Sequence, residues 1–219
     1  MPAAESTPGI KIMMDPKCKL CRRAGDKLFL KGDRCFSPKC AMVKRPNPPG
    51  IHGKAKRRGG ASEFGKQLAE KQKLKRMYGI SERQFKKYVK EAMAKKGDTR
   101  EILLRTLEMR LDNVVFRLGL ARSRTMARQL VNHGHILING KRVSIPSYQT
   151  KKDQVITLNA KIRQSNLMKD LSVVLKKYET PVWMSLEKDS IEGKILNVPS
   201  ADDLGDLNPA GIIVEFYSR

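Results

Sequence analysis

The arrangement of apolar and polar residues along the chain predicts a helical middle followed by short strands. Apolar side chains recur at helical spacing over residues 62–78, 81–93 and 98–118, and a glycine follows each stretch. This spacing places the apolar side chains on one face of a helix, and glycine commonly ends a helix because it tolerates a left-handed backbone. We therefore expect three amphipathic helices, the third continuous from Asp98 or Thr99 to Gly119.

The second half of the chain predicts shorter elements. Ser123 can cap a short helix that ends before Gly134. Asn139-Gly140 lies between two alternating apolar runs and is typical of a tight β-hairpin, because both residues tolerate positive φ. Three further elements are expected: a strand at 153–158, a helix from Asn166 to Tyr178 and an extended segment at 211–219.

All four cysteines lie within one short stretch, "CKLCRRAGDKLFLKGDRCFSPKC", which spans Cys18 to Cys40. The spacing Cys18-x2-Cys21 followed by Cys35-x4-Cys40 can direct four sulfur atoms to one point, and four thiolates at about 2.3 Å form a closed tetrahedral zinc site. The surrounding basic residues favour the thiolate form. We predict structural Zn²⁺ bound by these four residues, with no open position for a catalytic water.

Other states of the four thiols stay open. They are two disulfides, a redox-active Cys-x2-Cys pair, four free buried thiols, or an iron–sulfur cluster in place of zinc. A reducing cytosol disfavours disulfides. The surrounding sequence also lacks the strand-then-helix pattern of a redox fold. Because the stretch is too short to bury its own core, a bound metal would supply its folding energy.

The chain is strongly basic. The 219 residues contain 45 Lys and Arg against 22 Asp and Glu, a formal net charge of +23. Clustered cations attract phosphates and release condensed counterions, so nucleic acid is the expected partner. From Glu179 onward, however, acidic residues outnumber basic ones by eight to three. This acidic end is either a solvated surface or a face toward another protein.

Residues 44–60, "KRPNPPGIHGKAKRRGG", combine many basic residues with prolines and glycines that break regular structure. This loop is either a solvated linker or an arm that follows phosphates. No run approaches the roughly 18 apolar residues that a membrane span requires, so we expect a soluble, cytoplasmic protein with no membrane partner.

Residues 110–143, "RLDNVVFRLGLARSRTMARQLVNHGHILINGKRV", resemble the small RNA-binding module of ribosomal protein four of the small subunit. Related modules occur in some pseudouridine synthases, a heat-shock RNA binder and a class of tyrosyl-tRNA synthetases. "PPGIHG", "EKQKLKRMYGISERQF" and "VEFYSR" resemble the bacterial or organellar form of that ribosomal protein. The cysteine stretch resembles the zinc-binding form of the family. The resemblance spans Cys18 to Arg219 and does not cover the extension through Met14.

The resemblance implies an α+β fold with three parts. They are an N-terminal zinc knuckle, a mainly helical domain built from middle and C-terminal segments, and an inserted small α/β RNA-binding module with two helices and a β-hairpin. The expected boundaries are 1–14 for an extension, 15–45 for the knuckle, 46–98 with 179–219 for the helical rRNA-binding domain, and 99–178 for the module.

The resemblance also implies a function. Members of this family are primary binders of small-subunit ribosomal RNA that act early in assembly, and their basic loop lies near the path by which messenger RNA enters. Expected partners are small-subunit rRNA, neighbouring small-subunit ribosomal proteins and messenger RNA. We expect no functional homo-oligomer and a location in a bacterial or organellar ribosome.

Shape recognition of folded RNA uses phosphates and 2′-hydroxyls, for which Lys and Arg are suited. The RNA-binding residues that we predict in the module are Arg122, Arg124, Arg128, His133, Lys141 and Arg142. Those that we predict elsewhere are Lys54, Lys56, Arg57, Arg58, Lys86 and Lys87. His133 has an alternative role in capping the last carbonyl groups of its helix.

Two other functional classes fit the sequence less well. An RNA-modifying enzyme would need a catalytic domain, but the residues outside the predicted elements contain no paired His and carboxylate cluster. A zinc-finger DNA regulator would need a recognition helix attached to its metal site. We therefore predict a protein without enzymatic activity that binds structured RNA.

Overall fold

The structure, a computed structural model, describes residues 16–55, 60, 62–163, 165, 171–176 and 178–218, without the side chains of residues 172, 173 and 176. Over these residues, helices are combined with one antiparallel sheet, which confirms the predicted mixture of α and β structure. The N-terminal extension lies outside the described residues. In this part of the chain, no helix is long and apolar enough to cross a membrane.

The N-terminal segment, residues 16–55, is built from short helical pieces. α1 (Lys17–Ala24) ends at Gly25, whose left-handed backbone (φ 78°) lets its N–H donate to the Cys21 carbonyl. It is followed by a 3-10 turn (Gly32–Cys35), α2 (Ala41–Lys44) and a second 3-10 turn (Ile51–Lys54).

Three of the predicted helices form the centre of a first apolar core. α3 (Glu63–Tyr78), α4 (Glu82–Met93) and α5 (Thr99–Glu108) each begin after a side chain that accepts a first-turn backbone N–H. These capping residues are Ser62, Ser81 and Asp98. The buried side chains of these helices, with Ile80, form what we call the helical core: Leu74, Tyr78, Ile80, Phe85, Tyr88, Val89, Ala92, Leu103, Leu104 and Leu107.

The buried face of α3 differs from the apolar face that its sequence predicts. Phe64 is 55% exposed, whereas Gln67 and Lys71 are buried. Lys71 can be buried because its Nζ lies 2.7 Å from the Glu82 carboxylate and 4.7 Å from the centre of the Phe216 ring. Buried charge is tolerated where such partners replace water.

The last segment is a helix, and the predicted extended structure at 211–219 is wrong over the described residues. After the short helix α10 (Ala201–Leu204), α11 (Asn208–Ser218) places Ala210 and Ile213 in the helical core, fully buried. Tyr217 also donates a hydrogen bond of 2.8 Å to Glu82 at the start of α4. These packing contacts outweigh the preference of its β-branched residues for strands.

The predicted third helix is interrupted, which corrects the expectation of one helix from residue 98 to Gly119. α6 (Leu111–Arg117) begins after Met109 and Arg110, which leave helical geometry. The segment around Thr150 crosses this break: the Thr150 N–H donates to the Met109 carbonyl, and the Leu111 N–H donates to the Tyr148 carbonyl, both at 2.9 Å. A continuous helix would leave these long-range hydrogen bonds unmade.

The second half of the chain forms a small antiparallel sheet covered by helices. Its helices are α6, α7 (Arg124–Asn132), α8 (Ala160–Arg163) and α9 (Leu171–Lys176). The predicted hairpin is confirmed, with Asn139 and Gly140 at positive φ between β1 (Ile136–Ile138) and β2 (Lys141–Arg142). Residues 166–170, the start of the predicted helix 166–178, lie outside the described residues.

The sheet continues beyond the predicted end of the module at residue 178. β3 (Val155–Leu158) pairs with β5 (Glu192–Ile195), which pairs with β4 (Met184–Glu187), so the strand order is β2-β1-β3-β5-β4. Gly193 of β5 allows close packing, because a Cβ there would lie 2.4 Å from Leu118 Cδ1. Strands β4 and β5 therefore pack with the module. Of the predicted completing segment 179–219, α11 contributes buried side chains to the helical core, and Leu204 and Leu207 pack against it.

The second core, which we call the module core, lies between this sheet and helices α6, α7 and α9. Its members include Leu111, Val115, Leu130, Ile136, Ile156, Leu175, Trp183 and Ile195. The division between the two cores falls at residues 108–109. α5 therefore packs with the helical core, although the sequence-based boundary placed it in the module from residue 99 onward.

Two clusters of buried polar side chains lie where the cores meet. In the first, Glu108 accepts hydrogen bonds from Tyr78 at 2.6 Å, from Asn113 at 2.8 Å, and from both Nε and Nη2 of Arg117 at 3.0 and 2.9 Å. Burial alone would raise the pKa of Glu108, but the hydrogen bonds from Arg117 and Tyr78 lower it below its usual value. The carboxylate is therefore charged inside the fold.

The second cluster centres on Arg110 and Asp112. Arg110 donates through Nε and Nη2 to the two Asp112 oxygens at 3.0 and 2.8 Å, and through Nη1 to the Tyr88 hydroxyl at 2.6 Å. Arg128 donates to the same carboxylate and to the Gly79 carbonyl. Arg128 of α7 thus connects the Asp112 carboxylate of α6 to the turn between α3 and α4.

The N-terminal segment packs against the residues that precede α7. Gly32 (φ 65°) lies so close to Arg122 that an added Cβ would be 2.2 Å from the Arg122 carbonyl oxygen. Asp33 is 3.7 Å from the Arg122 guanidinium, and Lys73 of α3 forms a 2.7 Å ion pair with Asp26. Glycine at position 32 is therefore required by both its backbone conformation and this contact.

Replacement of Arg110 tests the stability contributed by the second cluster. Arg110→Ala leaves the Asp112 charge buried with one cationic partner fewer, so we expect the free energy of unfolding to fall by about 3–5 kcal/mol. Urea denaturation followed by circular dichroism measures this. Arg100→Ala, which removes an exposed ion pair with Asp98, is the control and should cost far less. If the two variants lost the same free energy of unfolding, the stabilising role of the Arg110 cluster would be contradicted.

Substitution at Gly32 tests how the N-terminal segment docks. Gly32→Ala adds both left-handed strain and a backbone clash, whereas Gly25→Ala adds left-handed strain with nothing within 4 Å of the new Cβ. We expect each to be destabilising, and Gly32→Ala to lower the free energy of unfolding by at least about 1 kcal/mol more than Gly25→Ala. Thermal and urea unfolding of both variants provide the measurement. If Gly25→Ala lowers the free energy of unfolding as much as Gly32→Ala does, the close packing of Gly32 against Arg122 would be refuted.

Candidate RNA-binding surface

The four cysteines surround one small region of the N-terminal segment. Cys18 and Cys21 lie one turn apart on α1, Cys35 ends the first 3-10 turn, and Cys40 precedes α2. Burial raises the pKa of the Cys21 thiol, a backbone N–H from Leu28 lowers it, and the other three cysteines raise it further. The Lys31 N–H also donates to Cys35 Sγ at 3.3 Å. Two of the four thiols therefore have a backbone N–H as a partner.

The zinc binding that the sequence predicts stays a prediction. Among the residues that the structure describes, no group of three or more His, Cys, Asp or Glu side chains is placed to hold a metal ion, and all four cysteines are free. The electrostatic influence of Cys35, Cys18 and Cys40 on Cys21 nevertheless means that all four sulfur atoms are close. The donor set has the chemistry of a zinc site without its coordination geometry.

Most of the predicted RNA-binding residues that the structure describes are exposed. These are Lys54, Lys86, Lys87, Arg122, His133, Lys141 and Arg142. Lys54 ends the second 3-10 turn, and α4 carries Lys86 and Lys87, the latter 3.7 Å from Glu91. The structure describes Lys54 in the predicted basic loop, whereas Lys56, Arg57 and Arg58 lie outside the described residues.

Three of these residues are brought together beside the hairpin. Arg142 Nη2 donates a 3.0 Å hydrogen bond to the His133 carbonyl, so β2 lies against the end of α7. His133 itself occupies the C-cap position of α7, and Lys141 is the next residue toward the turn. We call His133, Lys141 and Arg142 the hairpin surface. Glycine fits at position 134 because the Arg142 guanidinium takes the space of a Cβ.

Two predicted RNA-binding arginines of α7 are directed inward instead. Arg124 donates through Nε to Asn113 Oδ1 at 2.8 Å, and its guanidinium lies 4.8 and 4.7 Å from the ring centres of Tyr78 and Phe116. Burial lowers the pKa of Arg124, although Tyr78 and Glu108 oppose that effect. Arg128 is bound to Asp112 and Gly79, as described above. The structure thus gives both residues internal partners, and their contact with RNA stays a prediction.

A cleft that the sequence did not reveal lies beside these arginines. It has a volume of about 400 Å³ and lies between α1, the end of α3 and the start of α7. Its basic lining residues are Lys17, Lys75, Arg76, Arg124 and Arg128. The run "EKQKLKRMYG" at residues 70–79 supplies Lys75 and Arg76, and it was the one sequence signal for this site.

Lys17 has the most unusual surroundings of these basic residues. Burial lowers the pKa of its ammonium group, the nearby Lys31 lowers it further, and Cys35 opposes both effects. Lys75 differs, because its Nζ forms a 2.7 Å ion pair with Glu82. The ammonium group of Lys75 is therefore neutralised by an ion pair, whereas that of Lys17 is not.

Comparison with known proteins agrees with the division into two cores. Residues 13–108 match the family described as the ribosomal protein S4/S9 N-terminal domain, and residues 109–156 match the S4 domain. The border between the two matches coincides with the border between the helical core and the module core.

Similarity to curated proteins extends over nearly the whole chain. The small ribosomal subunit protein uS4 of Thermus thermophilus is 50% identical over 204 residues, which are 93% of this chain and 97% of the relative. The protein of the same name from Thermotoga petrophila is 50% identical over 206 residues with the same coverage, and that of Natranaerobius thermophilus is 46% identical over 204 residues. The chain therefore belongs to the family of ribosomal protein uS4.

Proposed function

We propose that this chain is a structural component of the small ribosomal subunit. In this proposal it is a primary binder of small-subunit rRNA that starts early assembly, and it acts as a single copy without enzymatic activity. The observation that carries the proposal is the exposed hairpin surface on a module that matches the S4 domain. The Arg142 side chain is fixed by its hydrogen bond to α7, and the pairing of β2 with β1 sets the backbone position of Lys141.

Charge and rigidity together support recognition of folded RNA. The chain has a net charge of +23, which favours any polyanion. Selectivity for one RNA shape requires that the cations occupy fixed positions, and the two cores provide such positions on α4 and on the hairpin. We propose Lys86 and Lys87 as contacts of the helical core, and Arg122, His133, Lys141 and Arg142 as contacts of the module.

The loop at residues 44–60 extends the proposal to messenger RNA. Arg22 of α1 donates to the carbonyl oxygens of Asn47 and Pro48 at 2.7 and 3.2 Å, which ties the start of this loop to the N-terminal segment. We propose that Lys54, with Lys56, Arg57 and Arg58, lies near the path by which messenger RNA enters the subunit. The acidic residues after 178 are proposed to face neighbouring ribosomal proteins.

Zinc binding by Cys18, Cys21, Cys35 and Cys40 is part of the proposal. Four thiols with N–H donors from Leu28 and Lys31 suit a closed structural Zn²⁺ site, because backbone N–H groups stabilise metal-bound thiolates. The bound ion would fix the positions of α1 and of the first 3-10 turn. An iron–sulfur cluster is the alternative occupant for four thiols.

The first experiment measures binding to the 5′ domain of small-subunit rRNA, in competition with tRNA and duplex DNA, across a salt series. We expect selective binding that survives moderate salt, because fixed contacts add to the general attraction of charge. Equal, steeply salt-sensitive binding to all three nucleic acids would contradict the proposal.

Two variants extend this experiment to individual contacts. Lys141→Ala should reduce the slope of log K against log salt by about one phosphate equivalent. Arg128→Ala should weaken binding and also reduce this slope by about one phosphate equivalent, and an unchanged slope would exclude Arg128 from the RNA interface. If its role is internal, affinity and stability fall while the slope stays unchanged.

The second experiment tests the metal. Elemental analysis of purified protein should give about one zinc per chain, and this should be lost in Cys21→Ser but kept in Ser37→Ala, a control in the same segment. Chelation should weaken rRNA binding only in part and leave most of the helical circular dichroism signal, because the module has its own core. Iron in place of zinc, or full metal content in Cys21→Ser, would contradict this assignment.

A further inference from the structure

The cleft of about 400 Å³ between α1, α3 and α7 combines basic side chains with apolar walls. Such a volume is typical of small-ligand sites, which range over about 300–1,000 Å³. Three separate segments of the chain meet there, so its shape depends on the docking of the N-terminal segment against α7. It is distinct from the hairpin surface, whose residues do not line it.

The charge of the cleft favours an anionic group. Five basic side chains line it, and none of its lining residues is acidic. The carboxylates that pair with two of these side chains, Glu82 with Lys75 and Asp112 with Arg128, are not lining residues. The Lys17 ammonium group forms no hydrogen bond or ion pair with another described residue, although Cys35 acts on it electrostatically. A phosphate beside Lys17 would give this ammonium group a direct anionic partner.

The remaining walls of the cleft favour a flat apolar group. Five apolar side chains form them: Leu20, Phe29, Leu30, Met77 and Ile80. Phe29 has a left-handed backbone (φ 49°), which is uncommon for a residue other than glycine and holds its ring at the cleft. Its ring also stacks on Phe36, with ring centres 4.9 Å apart. A base can stack on an aromatic ring supported in this way.

We propose that this cleft binds one unstacked nucleotide of the small-subunit rRNA, with its base against Phe29 and Met77 and its phosphate beside Lys17. The inference depends on the proposed function, since it assigns one further contact to the same RNA. Folded RNA offers such nucleotides at bulges and junctions, where bases are free to leave the helix. An acidic peptide would match the charge but would leave the apolar walls without a planar partner.

Two pairs of variants separate the cleft from its surroundings. Lys17→Gln removes the unpaired cation, and Lys19→Gln makes the same change on an exposed residue of α1 that does not line the cleft. Phe29→Ala removes the aromatic wall, and Phe36→Ala removes the supporting ring, which is 76% exposed and outside the cleft. Circular dichroism of each variant establishes that it is folded.

The readout is base-specific chemical probing of the rRNA 5′ domain bound to each protein, together with the dissociation constant. We expect one nucleotide that is protected by the wild type and by Lys19→Gln, but reactive with Lys17→Gln and with Phe29→Ala. Phe36→Ala should keep the protection and raise the dissociation constant less than Phe29→Ala does, because the Phe36 ring supports Phe29 but does not line the cleft. For Phe29→Ala the dissociation constant should rise about 5- to 100-fold, as for other base-stacking aromatics.

Three results would overturn the inference. They are an unchanged protection pattern in both cleft variants, equal effects of the two lysine variants, and loss of this one protection on adding oligoglutamate while the rest of the footprint is kept, which would mean that the cleft recognises charge alone. If the wild type itself shows no selective binding to the 5′ domain, the proposed function fails. If the wild type binds selectively and the cleft variants bind in the same way, only the inference about the cleft fails.

Discussion

Two carboxylates buried between the cores, Glu108 and Asp112, constrain the rest of this structure. Removing a carboxylate from water costs several kcal/mol unless cations and hydrogen-bond donors replace the lost solvent. Arg117 and Tyr78 donate hydrogen bonds to Glu108, and Arg110 and Arg128 donate hydrogen bonds to Asp112. Because these donors come from both cores, only one relative position of the helical core and the module satisfies them all. These polar contacts therefore fix how the two cores meet.

This constraint divides the basic residues into two groups with different roles. Arginines dominate the inner group, where a planar guanidinium can bind both oxygens of a carboxylate or lie against aromatic rings, as Arg110 and Arg124 do. Lysines such as Lys86 and Lys141 remain on the surface. Sequence alone could not separate the groups within "ARSRTMARQ", because Arg122, Arg124 and Arg128 have the same local composition around them. Their partners come from distant parts of the chain.

The same distinction explains how much of the fold could be predicted from the sequence. Elements with local signals were predictable because a few adjacent residues determine them. Examples are α4, which the Ser81 cap begins, and the hairpin at Asn139-Gly140. The break at Met109, the helical C-terminus and the attachment of β5 to β3 were missed, because each depends on partners far along the chain. Of the candidate site, the exposed cations were predictable, but the cleft was not.

The buried clusters also hold two side chains of the cleft in place. Arg124 and Arg128 form one wall of the cleft and, at the same time, belong to the interface between the cores. Their guanidinium groups are held in place before any ligand arrives, so binding would not require their side chains to be ordered. Lys17 lies on the opposite, N-terminal wall, whose position depends on Gly32 packing against Arg122. A ligand that contacts both walls would therefore bind best when the N-terminal segment is docked, and by linkage it would stabilise that docking.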